Sequence, residues 1–218
     1  MVDIMISEVK FKKYLENFDV DIDTCVSNLR SLSRTTSIYE YHKSMAYELI
    51  KKLEPSSNRE ALKLILEPSV DIEVKKLAVQ AHIHSAIYNA RALYDIFAQL
   101  LNKVILKEEF SVSDCALYKV RNLIEEPVLK SLLNSVVKSE SYKYTNAFVN
   151  TIKHRDLVSI GANLDLINNR AGLKFQSFVY NNDTFPSLWE IEVLEYSLSS
   201  KNDIIALFSE FEQHTLDS

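Results

Sequence analysis

From Asp71 to Leu106 apolar residues return every three or four positions, at Ile83, Ile87, Ala90, Tyr94, Phe97, Leu101 and Val104, and the run holds neither Gly nor Pro. A period near 3.6 lines them up on one stripe, so the spacing predicts a single amphipathic helix over 71–106. Pro68 upstream and Asp71 as N-cap give it a start. At 1.5 Å per residue it would be on the order of 54 Å long, which suits the central helix of a bundle. Similar periodicity predicts helices over 6–16, 22–54 (with a break near Ser33 to Thr36 left open), 58–66, 113–124, 127–138 and 140–155.

After Arg155 the pattern changes. GANLDLINN, GLKFQSFVY and SLWEIEVLEYSL alternate apolar with polar residues and are rich in β-branched and aromatic side chains, while NNRAG and NNDTFP between them are turn formers. These segments predict a small antiparallel sheet of two or three strands, closed by a last helix over 201–215. The expected fold is therefore mainly α: one domain over 1–218, with a helical bundle over about 1–155 and a β-hairpin element and final helix over about 156–215.

Composition narrows the function classes. With 218 residues, 47% of them apolar and 25% charged, the chain can bury a real core and is neither disordered nor collagen-like. No apolar run approaches the roughly 18 uncharged residues of a membrane span. The opening MVDIMISEVKFKKYL carries acids early and does not read as a signal peptide, so a cytoplasmic location is the expectation. Gly161 and Gly172 are the only glycines, which excludes P-loops, dinucleotide-binding loops and a GxSxG nucleophile elbow. Cys25 and Cys115 have no CxxC spacing and read as buried or idle thiols. His82 and His84 point about 200° apart on a helix and do not chelate one ion together, so neither metal nor cofactor is expected. DVDID at 19–23 lacks the glycine and glutamate of a calcium loop and reads as a helix cap. Ser135 to Lys138 has an S-x-x-K spacing with no K-T-G after it, a chance match. The aromatics lie mostly at core spacing, with Trp189 in the β element as an interface candidate.

The net charge of −5 is unevenly spread. Residues 1–70 carry 10 basic and 11 acidic groups, 71–155 carry 12 and 9, and 156–218 carry 3 and 10. The basic excess ends at Lys153-His154-Arg155, too weak by itself for a nucleic-acid signature. On a helical wheel Lys143, Asn146, Asn150, Lys153 and His154 share one side, opposite Thr145, Phe148 and Ile152, with Val149 at the margin. Arg155 falls nearer the apolar side. The plain reading is a solvated helix face whose last cations suit the helix dipole.

A long helix containing AHIHSAIYNARALYDIFAQLLN, followed by an F-x-N-x-x-K-H-R element (Phe148, Asn150, Lys153, His154, Arg155), resembles prokaryotic HEPN-like helical proteins over roughly residues 75–215. The resemblance implies a helical bundle, a homodimer and a role in stress or defence. Active members of that family are metal-independent ribonucleases with an arginine separated from a histidine by four to six residues. At that distance before His154 this chain has Ala147, Phe148 and Val149, so the motif is degenerate. The expectation is a protein that binds RNA, a nucleotide or a protein partner through Lys143, Asn146, Asn150, Lys153 and His154. Asp95 on the long helix would support them, as an acid on that helix commonly does in such bundles; an ion pair with Arg91 at i−4 explains Asp95 equally well. Two alternatives stand beside it. One is a ribonuclease of a toxin–antitoxin or abortive-infection system, with His154 as acid–base and Lys153 or Arg155 holding phosphate. The other is a structural module that homodimerises through an apolar face.

Overall fold

The computed structural model describes residues 8–67 and 69–216. The expected first-helix start at 6, the MVDIMIS opening and the Pro68 start signal lie outside those residues. The described chain is mainly helical, with a small antiparallel strand region near the C-terminus. The helices are α1 (Glu8–Leu15), α2 (Ile22–Leu53), α3 (Asn58–Leu66), α4 (Val70–Val104), α5 (Leu117–Leu123), α6 (Pro127–Lys138), α7 (Glu140–His154) and α8 (Glu190–Leu216). Between α7 and α8 run β1 (Ile160–Asp165), β2 (Arg170–Phe175), β3 (Phe178–Tyr180), β4 (Asp183–Phe185) and β5 (Leu188–Trp189).

The chain gathers into two compact units. Among the described residues the first comprises 8–37, 89–143 and 198–216; the second comprises 38–67, 69–88 and 144–197. The first unit has a core of aliphatic and aromatic side chains from seven helices, among them Phe11, Leu32, Leu93, Phe97, Leu133 and Phe211, all fully buried. Phe97 meets Phe208 and Phe211 edge-on, and Tyr94 meets Tyr142 the same way. Cys25 and Cys115 are both free and buried in this core. Burial pushes the Cys115 thiol up to about 11. The acid Asp203 is half-buried here and accepts from the hydroxyls of Tyr94 at 3.3 Å and Ser141 at 3.4 Å.

The second unit packs around aromatic rings. Phe148 touches Tyr144, Phe175, Phe178 and the imidazole of His84, and Tyr144 also stacks on Tyr196. Strands β1, β2 and β5 form one antiparallel sheet in the order β1-β2-β5, with Ile160 opposite Phe175 and Asp165 opposite Arg170. Strands β3 and β4 form a separate hairpin. Its turn residues Asn181 and Asn182 have φ of 50° and 69°, a backbone that asparagine tolerates and that matches the strand twist in a two-residue hairpin. The turn between β1 and β2 uses Asn169 at φ 48°, with the Asp165 carboxylate accepting from the backbone of Ile167 and Asn168.

Most helical expectations meet their elements. All seven residues of the predicted stripe on α4 are buried. Helix α2 runs through Ser33–Thr36 without a break, and Thr36 and Ser37 turn their hydroxyls back onto the carbonyls of Leu32 and Ser33. DVDID works as a cap: the Asp21 carboxylate accepts from the Thr24 backbone N–H and hydroxyl. The cap of α4 is Ser69, whose hydroxyl accepts from Ile72 N–H; Asp71 sits in the first turn and pairs with Lys75. Helix α5 starts later than the expected 113, after a turn in which the Ser111 hydroxyl donates to Asp114. Ser135 donates to the carbonyl of Ser131, an ordinary helical contact.

The last third differs from the expectation. GLKFQSFVY is two strands, β2 and β3, interrupted at Gln176 and Ser177. SLWEIEVLEYSL contributes only the two-residue strand β5 before α8 begins at Glu190, eleven residues ahead of the expected start. The buried positions Val193, Leu194, Ser197, Ser200, Lys201, Ile204, Leu207, Phe208 and Phe211 have helical spacing. Ser197, Ser200 and Lys201 fall on that buried stripe, and their polarity hides the period in the sequence.

Candidate functional site

Helix α7 carries most of the residues singled out above; Asp95 is on α4 and Arg155 directly follows α7. The helix forms from a segment without Gly or Pro, and its first turn is capped by Ser139, whose hydroxyl accepts from Tyr142 N–H at 3.1 Å. Lys153 and His154 occupy its last turn, where cations suit the dipole. Thr145 and Phe148 are fully buried and Val149 nearly so, as the wheel requires, while Ile152 is half-buried. The buried face is wider than predicted, since Tyr144, Ala147 and Thr151 join it.

The candidate polar residues fare differently from one another. Asn146 and Asn150 are half-buried, and the Asn150 amide donates to the Asn146 carbonyl at 2.9 Å and to its side-chain oxygen at 3.3 Å. Lys153 is exposed, and its ammonium stands 4.9 Å from the ring centre of Tyr88, itself exposed. Arg155 reaches the β3–β4 hairpin: its Nη1 donates to the Val179 carbonyl at 3.0 Å, and its guanidinium lies 5.4 Å from the ring centre of Tyr180. Its predicted lean toward the apolar side thus ends on a backbone carbonyl and a ring. His154 is exposed and has no hydrogen-bond partner among the described residues.

Lys143 and Asp95 belong to the first unit, Asn146 to Arg155 to the second. Lys143 is exposed and pairs with Glu140 at 2.9 Å; Asp95 pairs with Arg91 at 2.5 Å. Both are i,i+3 or i,i+4 pairs of little energetic weight.

The two histidines of the HxH pair part company. His82 meets His42 of α2, with their Nδ1 atoms 2.9 Å apart, so that one ring donates and the other accepts. His84 is pressed between Phe148 and Phe175, and its Nε2 is buried without a partner. Burial lowers its pKa, which keeps the ring neutral. Among the described residues no group of three or more His, Cys, Asp or Glu side chains is arranged to hold a metal ion. No helix among them is long and apolar enough to cross a membrane.

Sequence reasoning missed Glu190 altogether. It is the first residue of α8, only 6% exposed, and its Oε2 has no hydrogen-bond partner. Burial pushes its carboxyl up to about 7, against the pull of its own N–H, of Leu173 N–H and of the Arg170 charge. The carboxyl rests on Gly172 of β2, where a Cβ would come within 2.6 Å of Oε1. An isolated glycine in a strand signals close approach of another group, and that was the one sequence signal available. Trp189, next to it, is buried rather than presented as an interface, with Arg170 at 4.6 Å and Lys174 at 5.1 Å from its ring centre. Arg170 also pairs with Glu192 at 2.7 Å.

No protein-family model, curated protein or solved structure matches the chain.

Proposed function

We propose that the C-terminal end of α7 is a surface for single-stranded RNA or a nucleotide, in a HEPN-like protein of a prokaryotic stress or defence system whose catalytic motif is degenerate. The observation that supports this reading most is the pairing of cations with exposed or half-buried tyrosines, Lys153 with Tyr88 and Arg155 with Tyr180. Proteins that hold single strands use this combination: phosphates go to the cations, and bases stack on aromatic faces. The Asn146 and Asn150 amides add hydrogen-bonding groups on the same helix. Lys143 and Asp95, each already ion-paired, do not carry the reading. Binding is favoured over cleavage because no side chain or backbone group among the described residues hydrogen-bonds His154 to orient it or relay its proton, and no arginine stands at the motif distance.

The test is fluorescence anisotropy with a labelled single-stranded RNA in EDTA, at low and moderate salt. The expected result is salt-sensitive binding that falls about tenfold in Lys153→Glu/Arg155→Ala, with the RNA left intact. Fragments made by wild type and absent with His154→Ala would establish the ribonuclease instead. Absence of binding at low salt would overturn both.

A second reading, homodimerisation, is favoured by exposed apolar side chains on two helices of the second unit. Leu62 and Leu66 of α3 and Val70, Val74 and Leu77 of α4 are all exposed. If a second copy covers these side chains, Leu66→Glu/Leu77→Glu converts a dimer to a monomer in light scattering.

A further inference from the structure

We propose that the second unit also holds a site for a small organic cation, an amine or amidinium on an apolar body, in a cavity walled by α2, β2 and the first turn of α8. The cavity measures about 420 Å³, a size that accepts a compact organic molecule. Tyr47, Ile50 and Leu53 of α2, Ala171 and Leu173 of β2 and Ile191 of α8 give it an apolar lining. Glu190 lines it as well, buried, with one oxygen unpartnered.

Three observations make Glu190 the anchor. First, the carboxyl is seated on purpose-made space: Gly172 leaves open the position that any other side chain would take from Oε1. Second, the buried carboxyl has one oxygen without a donor, a rare state in a folded protein, and a ligand N–H that meets the carboxyl from the cavity supplies one. Third, the acid is the buried charge of the site. Lys51 and Glu54 on the wall are exposed to solvent, and Arg170 is committed to Glu192 and to the Trp189 ring. The remaining titratable group on the wall, Tyr47, has its phenol pushed up by burial and stays neutral. An anion or a neutral acceptor gains nothing from this carboxyl, whereas a cation is attracted by its charge. With a carboxyl near half ionisation at pH 7, cation binding drives off the residual proton and is tighter at higher pH. None of Lys153, His154 and Arg155 lines this cavity, so the site is independent of the proposed RNA surface.

The probe is 4-phenylbutylamine, with 4-phenylbutanol as its neutral counterpart, titrated calorimetrically into the full chain. The expected result is one saturable site for the amine, at least tenfold tighter than for the alcohol and at least tenfold tighter at pH 8 than at pH 5.5. At pH 7, comparison of two buffers of different ionisation enthalpy should show release of roughly half a proton per amine bound. Glu190→Gln should weaken the amine at least tenfold, and Ile50→Trp, which fills the cavity from α2, should abolish binding. The proton count is read on wild type and therefore stands if a variant fails to fold. No saturable amine binding at millimolar concentration, equal binding of the alcohol, or binding without proton release would each overturn the proposal.

Discussion

Each unit of this protein places an acid on α8, and the two acids are treated differently. Asp203 in the first unit is half-buried and accepts from two hydroxyls, those of Tyr94 and Ser141. Glu190 in the second is more deeply buried, leaves Oε2 without a donor and lines a cavity. Burial raises the pKa of both; the hydroxyls of Tyr94 and Ser141 pull Asp203 back, while Glu190 is pulled back by backbone N–H groups and the Arg170 charge and still keeps one oxygen without a donor. A carboxyl that stabilises a fold is surrounded by donors; one held open, at a cost in stability, is better explained by a ligand. Buried polar atoms without partners occur in both units, at Asn28 and Arg121 in the first and at His84, Tyr144 and Glu190 in the second, but of these groups Glu190 is the acid that lines a cavity.

The comparison can be broken most directly at Glu190. The folded chain keeps its carboxyl proton up to about pH 7, while a glutamate in the unfolded chain loses it near 4.5. The acid's contribution is therefore intact below pH 4.5, declines as pH rises to 7 and is missing above it. Glu190→Gln cannot ionise, so it should stabilise the protein by about 3 kcal/mol at pH 8 and by almost nothing at pH 4. Urea unfolding at the two pH values measures this, and an equal effect at both would mean that Glu190 is as well solvated as any surface acid. Next in size, Gly172→Ala should cost about 1–2 kcal/mol by forcing the carboxyl away from β2. A double-mutant cycle should show this cost shrinking in a Glu190→Ala background, and additivity would separate the glycine from the acid. Smallest, Tyr94→Phe in the first unit should cost about 1 kcal/mol, because it removes a donor from Asp203. A gain in stability there would erase the distinction between the two acids.

Much of the fold is legible in the sequence because its longest helices have a clean period. The seven apolar residues picked out on α4 are all buried, and the wheel of α7 separates Thr145 and Phe148 from Lys153 and His154 as the structure does. The start of α8 is not legible. Trp189, Glu190, Ile191, Glu192 and Val193 alternate as a strand would, and the helical stripe that follows runs through Ser197, Ser200 and Lys201. The candidate residues near Arg155 could be listed from the sequence, but their partners could not. Tyr88 and Tyr180 lie far from them along the chain, and only the folded second unit sets them against Lys153 and Arg155. Glu190 was hidden for a related reason: an acid in an alternating segment reads as solvent-facing, and the glycine that accommodates it is contributed by another strand.

The placement of sulfur and indole gives the protein a built-in pair of spectroscopic reporters. Both cysteines are buried in the first unit, and the one tryptophan, Trp189, lies in the second beside Glu190. A thiol reagent gains access only when the first unit opens, so its labelling rate reads the opening of that unit alone. Indole fluorescence responds instead to the second unit and to whatever enters the cavity next to it. The two halves of the molecule can thus be followed separately in one cuvette, without a substitution in either.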